Sequence, residues 1–509
     1  MRKTFTLSMT FLHTWCGLVF GWVLFVVLLT GAIAVFYSEL TYWLTPEIRA
    51  GLRPEPARSL QVGEAYLRAH APESRLWRVT LPTSREPVIK VSWRGPDGAQ
   101  SGRRLDPETG REIRRATEGG VFFLDVHQGL YIDRNKNLAG FFVVCLAGMA
   151  MIVASVSGVV VHKRIFKDLF LFRPRASQHR AWLDAHNVLG VLALPFHVMM
   201  AFTGILLLYW LFIPSAADVL YPGGNPEFRR EANAQEYRQL VGAPGPPAPT
   251  APLGFYVARA EAAIGRGRTA YIYVRDPGRA DAVVEVYRER TDRVSQQVDQ
   301  VAFDREGRTL RTLLIADKSL TFRLQSFAAA WHWVEWGGPV VRWFYFLAGL
   351  MGAGVAAAGL VVFAAKRRAR SSQARWFRIA EAVNVAAVAG ACVACLAFLW
   401  AERLIPAEAP GRVAGAAWAF FLAWAASLAH AAVRPPRRAW AEQLGLTAAL
   451  CLALPWVDGL AFRHLAEADW VRIDVDATLL AFGALFAAVA WKVHAAAPKP
   501  RAAPVLGEA

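Results

Sequence analysis

The chain has 509 residues, 55% of them hydrophobic and 19% charged, with 19 Trp and 30 Phe, a balance that excludes an ordinary water-soluble domain and implies a polytopic membrane protein. Its formal charge of +17 does not argue for a nucleic-acid partner, because the basic residues cluster in short links between apolar runs, where they act as topology signals. All five cysteines lie inside apolar runs, so no disulfide framework is available to the extramembrane parts.

Taken in chain order, Arg2 and Lys3 precede a first membrane run, TM1, within residues 1–37. Ala32-Ile-Ala34 faintly resembles a signal-peptidase site, but the apolar run continues past it, so an uncleaved helix is expected. Residues 38–120 are polar and mixed. They hold helix-like material from Tyr66, an alternating Val88–Trp93 and a strand-turn-strand pattern over Arg103–Ile113, which together imply a small α+β domain. An interfacial segment and TM2 occupy 121–164, followed by a basic link over 165–182 and TM3 over 183–214. A second α+β domain spans 215–325, interrupted by the Gly/Pro-rich tether Val241–Pro249, and 326–366 carries an interfacial segment and TM4. Four Ala-rich runs complete about eight spans: TM5 over 376–403, TM6 over 412–433, TM7 over 440–463 and TM8 over 476–495. By the positive-inside rule both termini are cytoplasmic and both soluble domains periplasmic, in a bacterial inner membrane. Cys392 and Cys395 form a C-x-x-C in TM5 without partner histidines, so they read as small packing residues.

The chain repeats itself. His13 precedes Thr30-Gly31 by 17 residues and His186 precedes Thr203-Gly204 by the same 17, with Gly17 and Gly190 one turn after each histidine. Leu124-Asp-Val-His127 leads into TM2 and Ala330-Trp-His332 leads into TM4. The soluble domains end in similar turns, Arg104-Leu-Asp-Pro-Glu-Thr-Gly and Ala302-Phe-Asp-Arg-Glu-Gly-Arg. Residues 1–167 and 180–370 are therefore two copies of helix, soluble domain, helix, whose four spans are expected to meet at a shared centre.

Histidine inside a hydrophobic span is costly and needs a reason. The blandest is a single buried hydrogen bond to a neighbouring helix, and for a lone histidine that is the commoner case. On a continuous TM3 helix His186 and His197 share one stripe, roughly 16 Å apart along the axis. The repeat places His13 level with His186 near the cytoplasmic face, and His127 level with His332 near the periplasmic face. Haem iron between two imidazoles needs ligands at one depth on facing helices, which His13 and His186 satisfy, with Gly17 and Gly190 leaving room. An outer haem is expected to pair His197 with His127 or His332. Zinc usually requires three or four protein ligands in one sphere, and these histidines span two faces. His70, His162, His179, His430, His464 and His494 sit in polar, basic or interfacial context and read as surface or span-end residues. The segment Trp331–Trp336 reads as an interfacial aromatic belt or, less commonly, the border of a haem or ferric complex.

The His13-x-x-x-Gly opening, the Thr-Gly ends, the Arg104–Gly110 turn and the His186 helix resemble the PepSY-associated transmembrane family over residues 1 to about 370. That family comprises bacterial iron-regulated inner-membrane proteins, including haem-containing ferric siderophore reductases. The resemblance implies periplasmic PepSY domains, b-type haems, and ligand roles among His13, His127, His186, His197 and His332. It makes the chain a dihaem ferric-chelate reductase that takes electrons from a quinol or a separate donor protein, since no dinucleotide fingerprint follows a strand here. A ferric siderophore is then expected near Arg103, Arg104 and Trp336. The other classes are a solute transporter and a PepSY-based regulatory or peptide-binding module. The four runs after 370 depart from the minimal four-span pattern.

Overall fold

The computed structural model of the chain describes residues 2–48, 54–132, 138–162, 173, 177–208, 216–224, 226–227, 244–462 and 470–495. Most of the basic link after His162, the end of the third run beyond 208, the start of the Val241–Pro249 tether, His464 and the basic tail after 495 lie outside the described residues.

The first repeat runs through α1 (Arg2–Ala34), α2 (Tyr37–Trp43), α3 (Pro56–His70), β1 (Leu76–Thr80), β2 (Ile89–Arg94), β3 (Gln100–Leu105), α4 (Val121–Gly129) and α5 (Ala139–Val161). The second follows the same plan, with its first span in two pieces and a fourth strand: α6 (Gln178–Leu192), α7 (Leu194–Leu207), α8 (Leu253–Ile264), β4 (Thr269–Arg275), β5 (Val283–Arg288), β6 (Gln300–Asp304), β7 (Thr309–Leu313), α9 (Leu320–Trp333) and α10 (Pro339–Ser371). In the centre α1 packs on both α5 and α10, while α10 packs on α6, so the long helix of each repeat lies against both halves. Pro339 opens α10 at its first turn, where a missing N–H costs nothing.

The third span is not one straight helix. The α6 and α7 axes meet at 66° around Ala193. Pro195 supplies the cause, having no N–H to donate and a ring that clashes with the preceding turn. The single-stripe expectation for His186 and His197 therefore fails, because they stand on differently directed helices.

Among the described residues six helices are long and apolar enough to cross a membrane, and the bent α6–α7 pair raises this to seven. These helices fit a polytopic membrane protein. The expected TM7 is a helix, α14 (Pro436–Phe462), outside that set. TM5 forms α11 (Arg375–Val385) and α12 (Ala391–Leu404), joined by a π-helical turn over Ala386–Gly390. TM6 is α13 (Arg412–Val433) and TM8 is α15 (Trp470–Ala495). This added group docks on the first repeat: Trp22 Nε1 donates to Asn384 Oδ1 at 2.6 Å, and Arg403 donates to the Trp43 carbonyl at 2.7 Å. Cys392, Cys395 and Cys451 are free thiols in the apolar packing between α12 and α14.

The soluble parts form one seven-stranded antiparallel sheet in the order β3-β2-β1-β4-β5-β6-β7. The two expected α+β domains are thus fused edge to edge, with Trp77 opposite Val274 and Val79 opposite Ile272, so neither repeat leaves its β1 or β4 edge open. One sheet face carries Val79, Ile89, Val91, Ile272, Val284 and Val286 and is covered by α3 and α8. Alternation along the strands then puts Arg78, Lys90, Arg104 and Tyr271 on the opposite face. In the Arg103–Ile113 pattern only the first strand is regular, and its return makes a single bridge, Leu105 to Glu112. Asp106 holds the intervening turn by accepting from the Glu108 and Thr109 amides.

Candidate cofactor site: two facing histidine pairs

His13 on α1 and His186 on α6 face one another with ring centroids 6.0 Å apart and planes at 78°. His13 Nδ1 donates to the Ala154 carbonyl of α5 at 2.9 Å, and His186 Nδ1 donates to the Val355 carbonyl of α10 at 2.9 Å. These are equivalent bonds in the two repeats, because Ala154 and Val355 differ by the same 201 positions as Gly158 and Gly359. A Cβ on Gly158 would stand 3.1 Å from His13 Cε1, and one on Gly359 would stand 3.2 Å from His186 Cε1. The glycines that admit these rings are therefore Gly158 and Gly359. A Cβ on Gly17 would meet nothing within 4 Å, and one on Gly190 would reach only Val355, at 3.9 Å.

The second pair is His127 on α4 and His332 on α9, again with centroids 6.0 Å apart and with planes at 30°. His127 Nδ1 donates to the Val27 carbonyl at 2.8 Å. His332 Nδ1 lies 3.1 Å from Thr203 Oγ1, on the helix turn equivalent to the one that holds His127. The Thr-Gly motifs now acquire a purpose. Thr30 and Thr203 each tie their hydroxyls to the preceding helical turn, and Gly31 and Gly204 leave space for an imidazole. A Cβ at Gly31 would fall 2.6 Å from His127 Nδ1, and one at Gly204 would fall 2.9 Å from His332 Cε1. Neutral imidazole is the form that ligates a metal.

In all four histidines the Nδ1 hydrogen is committed to a helix, which leaves Nε2 as the lone-pair nitrogen. An imidazole nitrogen sits about 2.0 Å from a first-row metal, so two rings on opposite sides of one ion have centroids about 6 Å apart. Both pairs have that spacing, which ordinary edge-on ring contacts such as Phe196 on His197 at 6.1 Å also show, so it is the repeat of the spacing and of the Nδ1 bonds that marks the two pairs. Among the described residues no three His, Cys, Asp or Glu side chains converge as a metal site, so the histidines come in twos. A b-type haem would be held by the two histidines of each pair, and its iron would supply one-electron chemistry there. Along α1, Val27 lies 14 residues beyond His13, which separates the two pairs by about 21 Å, within a hydrocarbon core of about 30 Å.

His197 belongs to neither pair. It is buried, its Nε2 donates to the Ala348 carbonyl of α10 at 3.1 Å, and a Cβ on Gly352 would crowd it at 3.0 Å. The expected pairing of His197 with His127 or His332 gives way to His127 facing His332, because the bend at Pro195 redirects α7 and the repeat equivalence governs the outer histidines as it governs the inner ones. Of the histidines given a surface role, His70 stacks on Tyr66 and His430 bonds Glu442 at 2.8 Å.

Between the polar sheet face and the membrane helices lies a cavity of about 1440 Å³. Arg103, Arg104 and Trp336, expected near an anionic ligand, all line it. Sequence reasoning missed Arg78 and Tyr271, which only the fused sheet brings together, and Arg342 at the start of α10. Trp336 is four residues beyond His332 and donates through Nε1 to the Ala330 carbonyl.

Residues 10–366 match the model of the PepSY-associated TM region. The chain is also 27% identical over 416 residues to the uncharacterized protein PA4219 of Pseudomonas aeruginosa, an alignment covering 76% of this chain and 98% of that one. With its family match spanning both helix-domain-helix repeats, the chain belongs to the PepSY-associated transmembrane family.

Proposed function

We propose that the protein is an inner-membrane electron carrier that holds two b-type haems, His13 with His186 and His127 with His332, and reduces a ferric chelate on the side of the sheet. The observation that carries this reading is the repeat-related geometry: two imidazole pairs at the same 6.0 Å spacing, each with Nδ1 tied to a helix. Haem bound at these pairs would supply one-electron redox chemistry at two depths of the membrane. The chain's own residues fix ring orientation through the Ala154, Val355 and Val27 carbonyls and exclude bulk through Gly31, Gly158, Gly204 and Gly359. Positive-inside topology assigns the inner pair to the cytoplasmic side and the sheet to the periplasm. The electron source is a membrane quinol or a separate donor protein; oxidation of one quinol to quinone releases two electrons and two protons, enough for two ferric ions. Reduction of each chelated Fe(III) to Fe(II) weakens its hold on hard oxygen ligands and releases the metal for iron uptake.

The test uses reconstituted vesicles of known orientation. The protein is reduced, an impermeant ferric chelate is added outside, and the b-band is followed. Reoxidation only when the sheet faces the chelate supports the reading; reoxidation only from the opposite face, or from neither, refutes it.

A further inference from the structure

The cavity under the sheet has a charge pattern that goes beyond electron delivery. Ten arginine and lysine side chains line it against four glutamates. Much of that charge is satisfied locally: Arg85 lies 2.7 Å from Glu39, Lys90 2.6 Å from Glu86, and Arg290 2.9 Å from Glu335. Arg78 and Arg104 differ, having no carboxylate at ion-pair distance among the described residues. Arg78 lies on β1 at the seam between the repeats, its guanidinium 4.7 Å and 5.3 Å from the ring centroids of Tyr271 and Tyr273, and its Nε is buried without a hydrogen-bond partner. Arg104 donates to Thr45 Oγ1 and to the Arg115 carbonyl, both neutral acceptors. Arg342, on the membrane side, shares Glu39 with Arg85, at 3.6 Å, and donates through Nη1 to the Gly337 carbonyl at 2.6 Å, while its Nε is likewise buried and unbonded.

Guanidinium groups partly withdrawn from water without a full matching anion are costly, so a chamber that keeps two with no carboxylate and a third on a shared one is built for negative charge brought from outside. The volume speaks against a single small ion, since pockets for drug-sized ligands run about 300–1000 Å³. Tyr37, Tyr271 and Trp336 supply aromatic lining for a bulky ligand. Short stretches of chain link the cavity to the outer pair in both repeats: Trp336, which lines it, lies four residues beyond His332, and Tyr37, which lines it, lies six residues beyond Gly31, which packs on His127. We infer that this cavity selects ferric chelates of net negative charge, whose carboxylate or phenolate oxygens meet Arg78, Arg104 and Arg342, and that it rejects neutral and cationic chelates. This inference rests on the electron-carrier reading for the ligand's iron, while the binding itself does not need electron transfer.

The experiment therefore uses gallium(III), which matches ferric iron in charge and size but is not reduced by biological donors. Calorimetry on the full-length protein in nanodiscs compares a gallium tris-catecholate, a polyanion, with a gallium linear trihydroxamate, a monocation. The expected result is saturable binding of the polyanion alone, weakened about tenfold by each of Arg78→Gln, Arg104→Gln and Arg342→Gln, as for loss of one charge-assisted bond. Arg308→Gln, on the exposed β6–β7 hairpin, leaves the affinity unchanged, and thermal unfolding confirms that each variant is folded. Equal binding of the two complexes, or polyanion binding indifferent to all three arginines, overturns the inference. So does loss of polyanion binding when phosphatidylglycerol replaces phosphatidylcholine, which would make the cavity a lipid-headgroup site. Failure here with two haems present sinks only the selectivity, whereas gallium binding to a haem-free protein sinks only the electron-carrier reading.

Discussion

Gly31→Ala tests the outer pair without touching a histidine. The new Cβ would fall 2.6 Å from His127 Nδ1 and 2.7 Å from Cε1, against an ordinary contact of about 3.5 Å, so the ring must retreat by roughly 0.9 Å. It cannot do so freely, because Nδ1 already bonds the Val27 carbonyl on the same helix at 2.8 Å. A retreat of that size opens the bond to about 3.7 Å, beyond hydrogen-bonding range. The combined cost is about 1–3 kcal/mol of overpacking and about 1 kcal/mol for the lost bond. Loss of the group that orients a ligating histidine typically lowers metal affinity about 10–100-fold. Haem per polypeptide is measured on purified protein by the pyridine haemochrome method, alongside a redox titration. The expected variant loses the outer haem, or shifts its midpoint potential, and keeps the inner one. Gly445→Ala is the control, as its Cβ would meet nothing within 4 Å. Two haems at wild-type potentials in Gly31→Ala would refute the assignment of His127.

His13→Ala and His186→Ala each remove the inner haem and leave the outer one, read as a fall to half the haem per chain; an unchanged ratio in both rejects the inner pair. His197→Ala keeps both haems and costs stability alone, since the ring serves a helix–helix bond to Ala348; loss of one haem in this variant would restore it as a ligand. Phe398→Ala removes a ring stacked on Phe122 at 4.0 Å and 8°, next to the His127 helix. It is expected to cost about 3–5 kcal/mol and to broaden the outer-haem band while sparing the inner one, checked by thermal scanning and reduced-minus-oxidised spectra; equal changes in both bands would mean that the added helices do not brace the outer pair specifically.

Much of the histidine core was legible because it repeats. The constant spacing from histidine to Thr-Gly marks equivalent helices, and equivalence alone suffices to put His13 beside His186. The same logic favours His127 beside His332. The competing claim of His197 rested on a straight third span, and its stripe is broken by the 66° bend at Pro195. A proline in a hydrophobic run signals a possible kink, but its angle depends on what the next helix packs against. The Thr-Gly motif was visible, yet its partner was not: Gly31 serves a histidine 96 positions away in sequence, on a short helix whose orientation no local pattern specifies. The β1–β4 seam is illegible for a related reason. Both strands carry the alternation of a half-buried strand, and nothing in that alternation says which edges meet. The arginine cavity inherits this, because Arg78 and Tyr271 become neighbours only across the seam.

The central claim is that each pair of facing histidines holds one haem. The most direct measurement is low-temperature electron paramagnetic resonance of the oxidised, purified protein, combined with haem quantification per polypeptide. The account predicts two low-spin ferric b haems per chain, with distinct signals for the pair whose planes lie at 78° and the pair at 30°. A colourless protein, a single haem per chain, or high-spin iron with only one histidine ligand would contradict it.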